Sequence, residues 1–173
     1  YFGWREAAPG QRIGTLTARF TRLELPRSRA AEVESLLESS PQALPALDVH
    51  AEEFVLFDRR LGSLSLRAVN SAGGARPVWT LEQLRIEHPS AVFDAHGTWA
   101  PVSFGSGRAT QLAFGLDIAD AGRLLALYGV EEAVRGGAGR ISGELHWSGS
   151  PLAFDYTTLG GQMRMQIGKG QFL

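Results

Sequence analysis

The chain contains no cysteine. That absence removes a disulfide scaffold, a thiolate zinc site and a cysteine nucleophile together. It leaves the compartment open, because exported proteins also manage without disulfides. A surplus of either charge is lacking as well: 17 Lys+Arg stand against 18 Asp+Glu, a formal net charge of −1. With no basic excess to release counterions, nucleic acid is not an expected partner. Long apolar runs are missing too. The best stretch, 112–130, is broken by Asp117, Asp120 and Arg123 before it can span a bilayer. The opening residues, Tyr1-Phe2-Gly3-Trp4-Arg5-Glu6, carry neither the basic region nor the apolar core of a secretion signal. Any membrane anchor is therefore expected outside this chain.

What is present is glycine, 21 of 173 residues, well above the usual ~7%. The glycines follow no collagen period and read as punctuation between short strands. The length fits one ordinary domain or a segment of a repetitive one. Period-two alternation runs between the glycines. Leu16, Ala18 and Phe20 alternate with Thr15, Thr17 and Arg19, and Leu64 and Leu66 with Ser63, Ser65 and Arg67. Leu112, Phe114, Leu116 and Ile118 form the longest row. Ile141, Leu145 and Trp147 follow, then Met163, Met165 and Ile167. Further strands are expected over 49–57, 78–87 and 92–99, about eight in all. Each has one apolar and one polar face, the pattern of an antiparallel sheet wetted on one side.

Two amphipathic helices interrupt the strands. One is predicted over 27–39 after Pro26, with Ala30, Val33, Leu36 and Leu37 on one stripe. The other is predicted over 120–128, from the acidic cap Asp120 to the stop at Gly129. A single helical turn is expected within 151–159. A weak repeat places Trp4, Trp99 and Trp147 at strand ends, without the fixed period of a solenoid.

Reactive constellations do not assemble. Gly136-Gly137-Ala138-Gly139 follows a helix and precedes a strand, the reverse of the order that aims amides at a phosphate. Gly168-Lys169-Gly170 lacks the hydroxyl a phosphate loop uses for magnesium. Asp94 and His96 can share a strand face, but Pro89 separates His88 from them, and a metal needs three or four converging ligands. His50 and His146 read as solvated polar residues beside acidic ones. Phe104-Gly105-Ser106-Gly107 is not a nucleophile elbow. Glu52, Glu53, Glu82, Glu87, Glu131 and Glu132 fall at strand edges and loops. The expectation is no catalytic residue, no metal and no cofactor.

Longer motifs carry a resemblance. Asp117-Ile118-Ala119-Asp120-Ala121-Gly122-Arg123-Leu124-Leu125, Tyr128-Gly129-Val130 and Val134-Arg135-Gly136-Gly137-Ala138-Gly139 are its first part. Gly143-Glu144-Leu145-His146-Trp147-Ser148-Gly149-Ser150-Pro151 and Leu159-Gly160-Gly161 complete it. Leu44-Pro45-Ala46-Leu47-Asp48-Val49, Arg60-Leu61-Gly62-Ser63-Leu64 and Trp79-Thr80-Leu81-Glu82-Gln83-Leu84 extend it upstream. Together they resemble the C-terminal region of YhdP-type, AsmA-like proteins of the Gram-negative envelope. The resemblance implies that 1–173 is a single segment of a much longer chain, anchored in the inner membrane by a helix outside this sequence. It also implies a periplasmic β-groove that carries phospholipid between inner and outer membranes and supports the outer-membrane barrier.

The expected fold is thus mainly β: a curved, one-sided antiparallel sheet forming a groove section, with two or three short amphipathic helices. Its partners would be phospholipid acyl chains and the adjoining segments of the same chain. The candidate groove-lining residues are Leu16, Phe20, Leu64, Leu66, Leu112, Phe114, Leu116, Leu145, Met163 and Met165, with Arg67, Arg85, Arg140, Arg164 and Glu144 facing water. Water-exposed acyl CH₂ groups cost roughly 0.8 kcal/mol each, so a conduit needs a continuous apolar lane. Unbranched Met163 and Met165 suit a variable ligand. The competing expectation is a structural or interaction module, its apolar face closed by its own helices.

Overall fold

The computed structural model describes residues 1–5, 14–39, 44–71, 77–103, 107–130, 134–168 and 171–172. Ser106, Glu131, Glu132 and Lys169, weighed above, lie outside it, as do the side chains of Ala30, Leu36 and Leu37 from the predicted helical stripe. Nine strands form one sheet: β1 (Phe2–Arg5), β2 (Thr15–Leu25), β3 (Ala46–Leu56), β4 (Arg59–Ser71), β5 (Val78–His88), β6 (Ala91–Pro101), β7 (Arg108–Ile118), β9 (Gly139–Ser148) and β10 (Gly160–Ile167). They pair in chain order, so β1 and β10 are its two edges among the described residues. The short strands β8 (Val134–Arg135) and β11 (Gln171–Phe172) pair separately.

The expected mainly-β, one-sided sheet is what forms, with one departure from antiparallel order. β2 and β3 run parallel, Leu16 opposite Leu47 and Phe20 opposite Ala51. A parallel pair needs a crossover rather than a hairpin, and helix α1 (Arg27–Ser39) supplies it. The second helix, α2 (Ala121–Leu127), matches the predicted one. Asp120 caps it from extended backbone, its carboxylate accepting from the Arg123 amide at 3.0 Å. The helical turn expected within 151–159 is instead a pair of tight turns, closed by Ala153 N–H to the Ser150 carbonyl and Thr158 N–H to the Asp155 carbonyl.

Four register shifts bend the sheet, around Ala51/Phe54, Phe54/Val55, Arg67/Ala68 and Leu81/Leu84. Each such irregularity kinks a strand and raises its local twist, which is how a flat ribbon becomes a curved one. The β3–β4 hairpin turns on Phe57 and Asp58, both with positive φ (51° and 66°). That is the primed-turn geometry favoured by twisted hairpins, although an aromatic residue pays strain there. The Arg27 guanidinium lies 5.4 Å over the Phe57 ring, and the Phe57 amide bonds the Leu25 carbonyl at 3.0 Å. At Gly62, φ is +95° and an added Cβ would stand 1.9 Å from the Glu87 carbonyl oxygen. Both demands exclude any other residue.

The fully buried core is small and sits on one face, around Ala51, Phe54 and Leu64, with Phe20, Leu23, Leu56 and Ile86 packed against it. At the opposite end of the strands, Trp99 and Trp147 are buried. Here the loop between β9 and β10 folds over. The Trp147 indole donates to the Ser150 carbonyl at 2.9 Å and stacks on Phe154 with centroids 4.4 Å apart.

Asp155 organises that loop. Its carboxylate accepts from the Thr157 hydroxyl, the Thr158 hydroxyl and the Thr157 amide, which hold it below the ordinary aspartate range. A depressed folded-state pKa contributes stability that is complete above the unfolded value, about 3.9, and is lost as pH falls through the folded one. Amide resonances of Thr157 and Thr158 are therefore expected to shift together as pH drops below about 4. In Asp155→Ala that transition should vanish; its persistence would assign it to another carboxylate.

Candidate functional site

Registers across the sheet decide which side chains share a face. Following the partners strand by strand, one row reads Trp4, Leu16, Leu47, Ala68, Leu81, Gly97, Leu112, Leu145 and Gly161. The next reads Phe2, Ala18, Val49, Leu66, Leu84, Ala95, Phe114, Gly143 and Met163. A third reads Phe20, Ala51, Leu64, Ile86, Phe93, Leu116, Ile141 and Met165. No polar side chain interrupts any of them. All ten candidate residues fall in these three rows, on the same face.

Strand spacing converts rows into dimensions. Eight gaps of ~4.8 Å make the apolar band about 38 Å long across the strands, and three rows two residues apart make it about 14 Å wide. Gly143 does not break the middle row. A Cβ there would stand 2.5 Å from the Gln162 carbonyl oxygen and 3.1 Å from Phe114 and Met163 side-chain atoms, so the neighbouring strand and those two side chains already fill its place. Phe93 and Phe114 stack at 6.2 Å.

Exposure varies along the band. Leu64 is buried, and Leu16, Phe20, Leu66, Leu112, Phe114, Leu116 and Leu145 are half-buried. At the edges Phe2, Trp4, Met163, Met165 and Ile167 are open, with Met163 and Met165 at 68% and 60%. Beyond the first row runs a polar-aromatic rim of Asn70, Trp79, Trp99, Thr110 and Trp147. The Arg108 guanidinium lies 4.5 Å over the Trp99 ring and donates to the carbonyls of Pro77 and Trp99. Burial pulls its pKa down. Beyond the third row, α2 lies over the band and walls a half-open apolar cavity.

The other face carries the charge. Arg67, Arg85, Arg140, Glu144 and Arg164 all occupy it, as expected. Most of its ions are paired within the sheet: Arg19–Asp48 at 3.0 Å, Arg22–Glu53 at 2.9 Å, Arg85–Asp94 at 2.7 Å and Arg140–Asp117 at 3.2 Å. Exposed pairs of this kind add little stability, but they satisfy charges that a ligand would otherwise meet. Two clefts on this face, about 470 and 720 Å³, are floored by short side chains such as Ala113, Gly115 and Ser142. Their walls hold both signs, largely neutralised by these pairs, and no distinct ligand chemistry emerges.

Asp94 and His96 do share that polar face, but Asp94 is engaged by Arg85. His88 points to the apolar side opposite Ala91, its Nδ1 accepting from the Ser90 amide. No group of three or more candidate metal ligands converges among the described residues. No described helix is long and apolar enough to cross a membrane.

Several inward residues escape alternation read from sequence, among them Leu81 and Leu84 of the band and Trp79 of the rim. The β-bulge in β5 makes the step from Leu81 to Leu84 three residues instead of two, while the partners Gly97 and Ala95 on β6 stay two apart. A reset of the period by one was the available signal.

A family model described as "YhdP protein" matches residues 4–173. No curated protein and no solved structure matches the chain.

Proposed function

The chain belongs to the YhdP family, and from that premise we propose that it forms a section of a periplasmic β-groove along which phospholipid passes between inner and outer membranes. Family membership supports an AsmA-like protein of the Gram-negative envelope. The observation that carries the finer reading is the apolar band, continuous over every strand of the sheet and running across the strands. A packed core needs apolar contacts but no unbroken direction. A conduit needs both.

On this reading the mechanism is passive. Acyl chains slide on aliphatic and aromatic side chains, and no position along the band forces a CH₂ group into water. Head groups travel at its margin, near solvent. Adjoining segments of the full-length protein continue the band at the open edges β1 and β10, where Phe2, Trp4, Met163 and Met165 are otherwise exposed. The chain itself supplies surface rather than chemistry.

Photo-crosslinking tests this in the full-length protein, in cells fed labelled phospholipid. A crosslinker at Phe114 is expected to capture lipid, and one at Asp117, on the opposite face three positions along β7, is expected to stay empty. Capture elsewhere in the protein with none at Phe114 would make this sheet a packed support. No capture anywhere would favour an envelope module that binds neighbours rather than lipid.

A further inference from the structure

The cavity beneath α2 goes beyond a smooth lane. Leu124, Leu127 and Tyr128 form its roof, while Ile86, Phe93 and Leu116 from the third apolar row form its floor. Its volume is about 390 Å³, within the ~300–1,000 Å³ of small-molecule sites. Ordinary cores close such space by interdigitation. The cavity is half open, so an apolar chain can enter it from the lane, and filling it would remove apolar surface from water. Most of the lining is apolar: His88 Nδ1 is committed to Ser90, leaving His88 Nε2 and the Tyr128 hydroxyl as its polar side-chain atoms.

A cation, Arg59, stands beside this cavity, against its Tyr128 wall. The Arg59 guanidinium lies 5.1 Å over the Tyr128 ring and donates one hydrogen bond to the Leu127 carbonyl. No carboxylate pairs with it among the described residues. Capping α2 explains one of its five N–H donors and leaves the charge unmatched.

We propose that this cavity is a holding station for one alkyl chain of an anionic lipid in the lane, with the lipid phosphate held at Arg59. The proposal rests on the conduit reading for the nature of the ligand. The space takes a single chain, since the floor is one row of the band and the roof is a seven-residue helix. The second chain stays on the open lane. A lipid seated this way is retained by contacts on both sides, whereas elsewhere the band touches it on one side only.

The test uses the full-length protein in cells with labelled phospholipid. A small alkyl-diazirine side chain replaces Leu124 in one strain and Phe114 in another. Lipid adducts are expected at both positions. Ala91→Phe, which places a ring in the cavity, is expected to abolish the adduct at Leu124 and leave that at Phe114. Loss of one charge-assisted hydrogen bond corresponds to about tenfold, so Arg59→Gln should lower the Leu124 adduct by about that factor, with Arg59→Lys recovering part of it. Capture at Phe114 with none at Leu124 would overturn the station and spare the conduit. An adduct at Leu124 indifferent to Ala91→Phe would also overturn it, because the lipid would then lie outside the cavity. An adduct indifferent to Arg59→Gln would refute the phosphate contact. Silence at both positions would sink the conduit and the station together.

Discussion

Trp147→Ala is expected to be the most damaging single substitution in the sheet, costing about 3–5 kcal/mol. The indole is 2% exposed, and no smaller side chain can hold apart what surrounds it. Its removal leaves a cavity at the end of β9 and takes away one of the two hydrogen bonds the Ser150 carbonyl accepts, the Ala153 amide keeping the other. The Phe154 ring, stacked at 4.4 Å, loses the surface that holds the β9–β10 loop down. For a chain of this size the thermal midpoint should fall by about 10 °C. Trp4→Ala is the control: it is a tryptophan of the same face, but 57% exposed at the β1 edge, and should cost about 1 kcal/mol or less. Thermal and urea unfolding of the two variants checks this. Equal effects would show that the rim is no more structural than the edge. A double-mutant cycle of Trp147→Ala with Phe154→Ala should return about 0.5–1.5 kcal/mol of coupling for the ring pair.

The same residue shows what the sequence could and could not disclose. A tryptophan at a strand end is visible as a pattern, and β9 reads cleanly from Ile141, Leu145 and Trp147. That Trp147 lines up with Trp99 and Trp79 in one rim is a matter of register, and register is set by pairings between strands remote in sequence. Strands with unbroken alternation, such as β7 and β10, were legible in period and in facing. Where a bulge intervenes, as after Ala51 or Leu81, alternation resets and the inward set is misread by one position. For that reason the ten candidates omit Leu84 and Ile86, which follow the β5 bulge. Phe93, on the regular strand β6, escapes because its inward neighbours Ala91, Ala95 and Gly97 are small and make no apolar row in the sequence. The parallel β2–β3 pair was hidden for a related reason. Helix α1 was predicted at its observed bounds, but a helix between two strands permits either direction of return.

Partition of charge between faces was the most legible feature, because it needs only parity within a strand. Arg85, Arg140 and Arg164 lie where alternation puts them. Their partners were not legible. The Arg85–Asp94 pair spans two strands and depends on the register that sets those residues opposite each other. The α2 cavity was equally hidden, since it depends on how far a seven-residue helix stands off the sheet.

Met165→Glu separates a conduit from a closed core more sharply than any truncation. Met165 is 60% exposed on the edge strand, so replacing it removes little buried area and should leave the unfolding transition within about 0.5 kcal/mol. A closed-core protein would hardly notice. In a lipid lane the carboxylate stands in the third apolar row, beside Ile141, where acyl chains must pass. An ionised group facing hydrocarbon costs about 3 kcal/mol on insertion-based scales. At about 1.4 kcal/mol per tenfold, passage should slow by about a hundredfold. In cells where the full-length protein carries the phospholipid flux, the readout is a leaky outer membrane, measured as uptake of an excluded dye. Gln166→Glu adds the same charge one residue away but on the polar face, and should behave as wild type. Met165→Leu keeps the lane apolar and should as well. A barrier defect in Met165→Glu alone is the outcome expected of the proposed conduit. Equal behaviour of the two glutamates, with the protein folded and present, would remove the lane from β10 whatever the rest of the band does.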